Sequence, residues 1–390
     1  MLRTDRKERP LETTVYKNNQ LLRCGYTTGT CAAAAAKAAA QMLLSGRPVE
    51  RVSLRTPKGI SLTLSVMDRK QEKDAVSCAV QKDSGDDPDV TNGVWVYAKV
   101  EKIVKKAIQI DGGVGVGRVT KPGLDQPVGE AAINSTPRAV IRGELLALCD
   151  DWEYDGGFRV TISIPAGVEL AKKTFNPRLG IEGGLSVLGT TGIVEPMSEQ
   201  ALVESIRLEL RQQVASGKRS LWMVPGNYGE TFAKQQLQLS LDACFQCSNF
   251  IGDSLDCAAE LGVEHILLVG HIGKLVKVAG GILQTHSHTA DCRMELLTAH
   301  AVLAGADITL LQAVMASNTT DEALTHLQSA GCLQPVMHTL LQKIHFYLNH
   351  RTLNKVHVEA VVFSNQLGIL GQTSGAETLL IQHREGGSQG

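Results

Sequence analysis

The residues best placed to do chemistry lie in glycine- and hydroxyl-rich loops, beginning with Arg23-Cys24-Gly25-Tyr26-Thr27-Thr28-Gly29-Thr30-Cys31. This loop runs into Ala32–Ala36 and Ala38–Ala40, a stretch of the strongest helix former. Unpaired amides at a helix start, with the Thr27, Thr28 and Thr30 hydroxyls beside them, suit a phosphate or carboxylate. The same residues equally suit a plain cap on a buried helix. A second loop, Ile110 to Gly123, centres on Gly113 and carries Arg118 and Lys121. It holds no Gly-Lys-Ser/Thr, which weighs against a P-loop kinase. Lys172, Lys173 and Arg178 extend a cation reservoir suited to a polycarboxylate ligand. Lys82 to Gly93 gathers Asp83, Asp86, Asp87 and Asp89; it could be a cation loop or a solvated turn. His286-Ser287-His288 could shuttle protons, donate hydrogen bonds or ligate a metal carried by a substrate.

Elements that would position these groups fall into two halves. In the first, Val52 and Leu54, then Ile60, Leu62, Leu64 and Val66, alternate around Pro57-Lys58-Gly59 and predict a hairpin. Val76–Val80, Val94–Val100 and Phe158–Ile164 repeat the period of two, with helices over 31–45 and 137–150. Residues 1–182 therefore read as an α+β domain with mostly antiparallel strands. From residue 183 the pattern becomes strand, glycine loop, helix: Leu185–Leu188 into Gly189-Thr190-Thr191-Gly192, Ser220–Val224 into Gly226-Asn227, and Glu264–Val269 into Gly270-His271. Asp307–Val314 and Val356–Phe363 are read as further strands. Residues 183–375 thus predict a Rossmann-like α/β domain with a pocket along its strand ends, followed by a tail over 376–390. No Gly-x-Gly-x-x-Gly is present, which argues against a nicotinamide dinucleotide.

Gly25-Tyr26-Thr27-Thr28-Gly29-Thr30-Cys31 with its alanine run resembles the opening signature of the CbiD family, the cobalt-precorrin-5B C1-methyltransferases of anaerobic cobalamin biosynthesis. Gly189 to Ser198, Cys247 to Asp253, and His271-Ile272-Gly273-Lys274 through His288 resemble further blocks of that family, in order. The resemblance implies methyl transfer from S-adenosylmethionine to ring carbon C-1 of cobalt-precorrin-5B, giving cobalt-precorrin-6A, with cobalt present only in the substrate. It implies donor binding by Gly189, Thr190, Thr191, Gly192, Gly226, Asn227, Gly270 and His271. Substrate binding falls to Thr27, Thr28, Thr30, Gly113, Arg118, Lys121, Arg178 and Lys274. It also makes the aspartate loop a site loop, so His286, His288 and Asp86 are the catalytic candidates, and which of them manages protons stays open. A non-catalytic tetrapyrrole carrier is the alternative from another class.

The chain of 390 residues, 43% apolar and 20% charged with a net charge of −1, gives no support for a nucleic-acid or membrane-surface binder. Met1 to Arg23 lacks the apolar core of a secretory signal, and the longest apolar run, 301–316, is cut by Asp307. Nine scattered cysteines read as free thiols in a reducing compartment, hence a cytoplasmic protein. Cys244-Phe245-Gln246-Cys247 has zinc-ligand spacing but no second pair, so buried thiols are expected and no protein metal. The oligomeric state stays open; a homo-oligomer and transient contact with neighbouring pathway enzymes are both compatible with the sequence.

Overall fold

A computed structural model describes residues 13–385 apart from 18, 175 and 178. The chain forms two compact units, Met1–Glu199 and Gln200–Gly390. Three sequence readings lie partly or wholly outside the described residues: most of the charged N-terminal stretch, Arg178, and the end of the proposed tail.

In the first unit, five strands lie in the order Met67–Gln71, Ala75–Gln81, Trp95–Ile103, Gly157–Ser163, Ile108–Gly112. All neighbours are antiparallel except the last pair. The alternating runs fix the register: Val76 faces Val100, Cys78 faces Ala98, and Val160 and Ile162 face Val100 and Ala98 from the other side. Those residues are buried, as the period of two requires. A separate hairpin pairs Arg51–Arg55 with Ser61–Ser65, burying Val52, Leu54, Leu62 and Leu64 and exposing most of the alternate positions.

Helix Thr28–Ser45 packs on this sheet and beside helix Ser135–Asp151. Its eight alanines at 32–36 and 38–40 are fully buried. Small side chains let the helix sit close to strand and helix alike, and the Cys78 thiol reaches the Ala35 carbonyl at 3.2 Å. The helix ends in Gly46 at φ 64°, whose N–H returns to the Met42 carbonyl.

The second unit has five strands ordered Cys244–Gln246, Ser220–Val224, His265–His271, His357–Ser364, Gly368–Gln372. The first four run parallel and the last is antiparallel. Both faces are covered. Leu221, Met223, Ile266, Leu268, Ala360 and Val362 enter one core, while Trp222, Val224, Leu267, Val269, Val361 and Phe363 enter the other. Continuous apolar runs are what a doubly covered parallel sheet demands.

Three readings of the second half are corrected. Residues 307–314 form helix Ile308–Ala316, capped by the Asp307 carboxylate on the Leu310 N–H at 2.9 Å; a short apolar run does not itself distinguish helix from strand. The proposed tail contains helix Ala376–Glu385, with Ala376, Leu379 and Leu380 buried in the second core. Residues 183–199 belong to the first unit, because Gly184–Leu185 pairs with Gly115–Val116 and Ile193–Val194 pairs with Gly25–Tyr26. The capping box at Thr319 is present: its hydroxyl takes the Glu322 N–H at 3.2 Å, and the Glu322 carboxylate takes the Asn318 N–H at 2.8 Å.

Candidate functional site

In the first unit, the Thr-rich helix start is closed by the chain itself. Thr27 Oγ1 accepts the Thr30 N–H at 3.2 Å, and the Thr27, Gly29 and Cys31 amides donate to Gly192, Leu188 and Thr27 carbonyls. The Thr28 hydroxyl donates to Leu188 O at 3.2 Å and accepts the Leu188 N–H at 3.1 Å. The Thr30 hydroxyl donates to Gly192 O at 2.7 Å, and all three threonines are buried. At Thr27, Thr28 and Thr30, expected to meet an anion, the structure shows a packed junction whose hydroxyls bond within the chain.

Its partner is the loop expected to hold a cofactor in the second half. Gly189 packs so tightly on Thr27 that a Cβ there would overlap the Thr27 side chain. Gly192 lies against Thr56 and Pro57, the Thr191 carbonyl accepts the Lys58 N–H at 3.0 Å, and Thr190 is exposed. The structure thus places Gly189, Thr190, Thr191 and Gly192 in the first unit and outside the parallel sheet of the second. Lys58 and Glu195 add an ion pair beside them.

The aspartate loop is likewise committed to holding the chain. Asp83 accepts from the two Arg23 Nη atoms at 2.5 and 2.9 Å, Asp86 accepts the Arg23 backbone N–H at 2.6 Å, and Asp87 accepts the Met197 N–H at 3.0 Å. The Arg23 bond holds the Asp83 carboxyl below its usual range. Lys82, 3% exposed, gives its ammonium to Asp89, to Ser84 Oγ at 2.7 Å and to Thr91 Oγ1 at 2.7 Å. Asp86 remains exposed at this loop. A side chain at Gly25 would overlap the Asp83 and Ser84 backbone, which is why the signature begins with glycine.

The glycines after Ile110 serve packing. A Cβ at Gly113 would overlap the Ser163 hydroxyl, and Gly115, at φ 75°, lies on the Ile164 carbonyl. Arg118 is drawn onto Asp111 at 2.8 Å and the Gly112 carbonyl at 3.0 Å, whereas Lys121 is exposed with its stem over Gly180. A cavity of about 600 Å³ opens between the Arg55–Pro57 turn and the Ser135–Glu144 face of helix Ser135–Asp151.

In the second unit, the C-terminal ends of the parallel strands bring together several of the expected residues. Gly226, at φ 144°, precedes helix Asn227–Gln236, and among the described residues no side chain caps that start. Asn227 and Tyr228 are exposed there, Tyr228 by 76%. Gln246, at the end of the neighbouring strand, donates to Asn227 Oδ1 at 3.2 Å and Glu230 Oε2 at 2.7 Å. Lys274 reaches back to the Pro225 carbonyl at 2.6 Å and the Ser248 carbonyl at 3.5 Å. Burial lowers its ammonium pKa below the usual lysine value.

Gly270 is buried against Leu275. His271 Nδ1 accepts the Gly273 N–H at 3.1 Å, so the neutral ring carries its proton on Nε2. Among the described residues that buried Nε2 has no hydrogen-bond partner, and burial lowers the ring's pKa against the pull of Asp321. On the next strand the Ser364 hydroxyl donates to Asp321 at 2.6 Å. His286 and His288 are both exposed, ring centroids 5.1 Å apart, with His286 Nδ1 accepting the His288 N–H. Their loop is clamped by buried Lys277, whose ammonium donates to the Thr285 and Ala290 carbonyls at 3.1 and 2.8 Å. Asn249 secures the same loop through Thr285.

Sequence reasoning missed Tyr228, Gln246, Asp321 and Ser364. Only Tyr228 carried a local signal, an aromatic inside Gly226-Asn227-Tyr228-Gly229 at a strand end. The others are assembled by the parallel order of the strands. Cys244 and Cys247 are buried, and burial pushes the Cys247 thiol up to about 12. All nine cysteines are unbridged. Among the described residues no helix is long and apolar enough to cross a membrane.

Comparison with known proteins gives a consistent result. Residues 15–196 match the CbiD family model, and residues 284–374 match the model of the CbiD C-terminal domain. The cobalt-precorrin-5B C(1)-methyltransferase of Ruminiclostridium cellulolyticum is 48% identical over 375 residues, covering 95% of this chain and 97% of that protein. Its counterpart from Alkaliphilus metalliredigens is 46% identical, again covering 95% and 97%. A crystal structure of the cobalamin biosynthesis protein CbiD from Archaeoglobus fulgidus is 31% identical, covering 68% of this chain and 83% of that one, with a TM-score of 0.38. With near-complete relatives at this identity, the chain belongs to the CbiD family.

Proposed function

We propose that this chain is a cobalt-precorrin-5B C(1)-methyltransferase acting in cobalamin biosynthesis, with S-adenosylmethionine as its methyl donor. The observation that carries this reading is end-to-end similarity, at 48% identity, to an enzyme of that name. The second unit is read as Rossmann-like, since its crossovers place glycine, asparagine and lysine at the C-terminal ends of parallel strands, where such sheets bind ligands. The residues fit the donor. The unpartnered His271 Nε2–H lies at this edge, the start of helix Asn227–Gln236 lacks a side-chain cap, and Tyr228 offers an exposed ring. Asn227 and Gln246 supply amides for hydroxyl or carboxylate groups.

When bound, S-adenosylmethionine supplies an electrophilic methyl group on a sulfonium. The chain's contribution is to hold the tetrapyrrole's ring carbon in line with that methyl and keep water away. No protein nucleophile is required. His286 and His288, exposed on a loop braced by Lys277, are the residues proposed to meet the substrate and manage a proton. Arg118 and Lys121 remain proposed substrate-side cations of the first unit. Their joint replacement by alanine is expected to raise the tetrapyrrole KM several-fold and leave that of the donor unchanged, measured by steady-state kinetics. The unbridged cysteines support a reducing, cytoplasmic setting.

The strand-end site is tested by Lys274→Met. The variant removes the donor that ties the Pro225 and Ser248 carbonyls together, and with it the relative placement of two loops. S-adenosylmethionine affinity should fall about tenfold or more by calorimetry, a loss on the scale of one charged hydrogen bond. Unchanged affinity would move the donor site elsewhere.

A further inference from the structure

We propose that the cavity of about 600 Å³ in the first unit receives an acidic edge of the tetrapyrrole, anchored by Arg55 and admitted beside Gly143, which lines it. This rests on the methyltransferase reading for the identity of the ligand. The volume suits part of a large ligand, not a whole macrocycle with its side arms. The lining combines apolar Pro57, Ala139 and Val140 with the hydroxyl residues Thr56 and Thr136. Two charged residues reach it. Glu144 is neutralised by Lys37 at 2.6 Å. Arg55 gives only its Nε to the Gly59 carbonyl, at 3.2 Å, and among the described residues it has no carboxylate partner. The cavity therefore presents an unneutralised guanidinium above an apolar surface, a match to a carboxylate arm on an apolar ring.

Gly143 gives the second argument. It sits inside helix Ser135–Asp151, where glycine is less favourable than alanine. Neither usual justification applies, since its φ is not positive and a Cβ would meet nothing within 4 Å. Gly143 is exposed on this helix and is one of the residues that line the cavity.

The packed Thr27–Thr30 junction fits the same purpose. Gly192 presses on Thr56 and Pro57, at 2.8 and 3.0 Å from where a Cβ would stand, and Gly29 is held as closely on Pro137. The junction thereby fixes both walls of the cavity. Its threonines act as positioning residues and do not themselves touch ligand.

The test uses the full chain and cobyrinic acid, a stable corrinoid polycarboxylate, titrated by absorbance, with S-adenosylmethionine titrated separately by calorimetry. Gly143→Leu should keep or raise the melting temperature, leave donor affinity unchanged and weaken corrinoid binding at least tenfold. Arg55→Met, at an exposed position, should weaken corrinoid binding about tenfold and flatten its salt dependence. Wild-type corrinoid affinity retained in both folded variants would overturn the proposal and leave the methyltransferase reading intact. A wild-type chain that binds neither corrinoid nor donor would overturn both.

Discussion

Replacing Lys82 by methionine should cost the first unit about 3–5 kcal/mol, the range found when one partner of a buried ion pair is removed. Lys82 is 3% exposed, and its ammonium is the common partner of Asp89, Ser84 and Thr91. Without it, the Asp89 carboxylate keeps only the Thr91 and Ser84 groups in a partly buried site. The loop it folds also holds Arg23 through Asp83 and Asp86, so the loss should spread to the signature helix start. Denaturant unfolding of the full chain, followed in the transition of the first unit, measures this. A cost below about 1 kcal/mol would show that the cluster behaves as a surface pair. The apolar double variant Lys82→Met with Asp89→Leu should recover much of the loss, because neither charge is then left unpaired.

The same loop sets an acid limit. Asp83 is held below the ordinary carboxylate range in the folded state by its bond to Arg23. Its contribution is therefore fully present above the unfolded-state value, near pH 4, and disappears as pH falls through the lower folded-state value. Arg23→Gln should remove that contribution and shift the acid-unfolding midpoint upward, as followed by circular dichroism.

The second large effect is expected at Gly226. Gly226→Val should abolish S-adenosylmethionine binding, with a loss of 100-fold or more on the order of 3 kcal/mol, while the second unit stays folded. Its φ of 144° lies where side chains strain the backbone, at roughly 1–3 kcal/mol, yet no atom lies within 4 Å of a Cβ there. The new side chain would occupy the open space above the strand ends instead of disturbing a core. Gly189→Ala is the contrasting variant. It belongs to the loop that local pattern assigned to the donor, but its side chain would collide with Thr27. Stability of the first unit should fall, and donor affinity should follow only the folded fraction. Calorimetry beside thermal unfolding separates the two outcomes.

Particular residues show how far the sequence could be read. Val76, Cys78 and Val80 alternate because one face of their strand meets the alanine helix, so strand and buried face were legible, while the pairing partners were supplied by the sheet. The strands at 220–224 and 264–269 were equally plain, the second running on through Gly270 and His271 in the structure. Leu185 to Gly192 misled because strand, glycine loop and helix follow each other there as in a βα unit. Pairing with Gly115–Val116 and Gly25–Tyr26, far away in sequence, decides where that segment belongs. Thr27 to Thr30 showed a helix start, but whether its donors were free depended on Leu188 and Gly192, more than 150 residues away. Arg118 was legible as a cation and not as the partner of Asp111. Arg55 and Gly143 had no local signal, since a cavity is made by two elements brought together.

The most direct measurement is an anaerobic incubation of the purified chain with cobalt-precorrin-5B and S-adenosylmethionine carrying an isotope-labelled methyl group. The account predicts one labelled methyl on ring carbon C-1, seen by mass spectrometry and carbon NMR, with donor binding at micromolar affinity. Tetrapyrrole bound but left unmethylated would make the chain a carrier, and label at another ring position would contradict the assigned reaction.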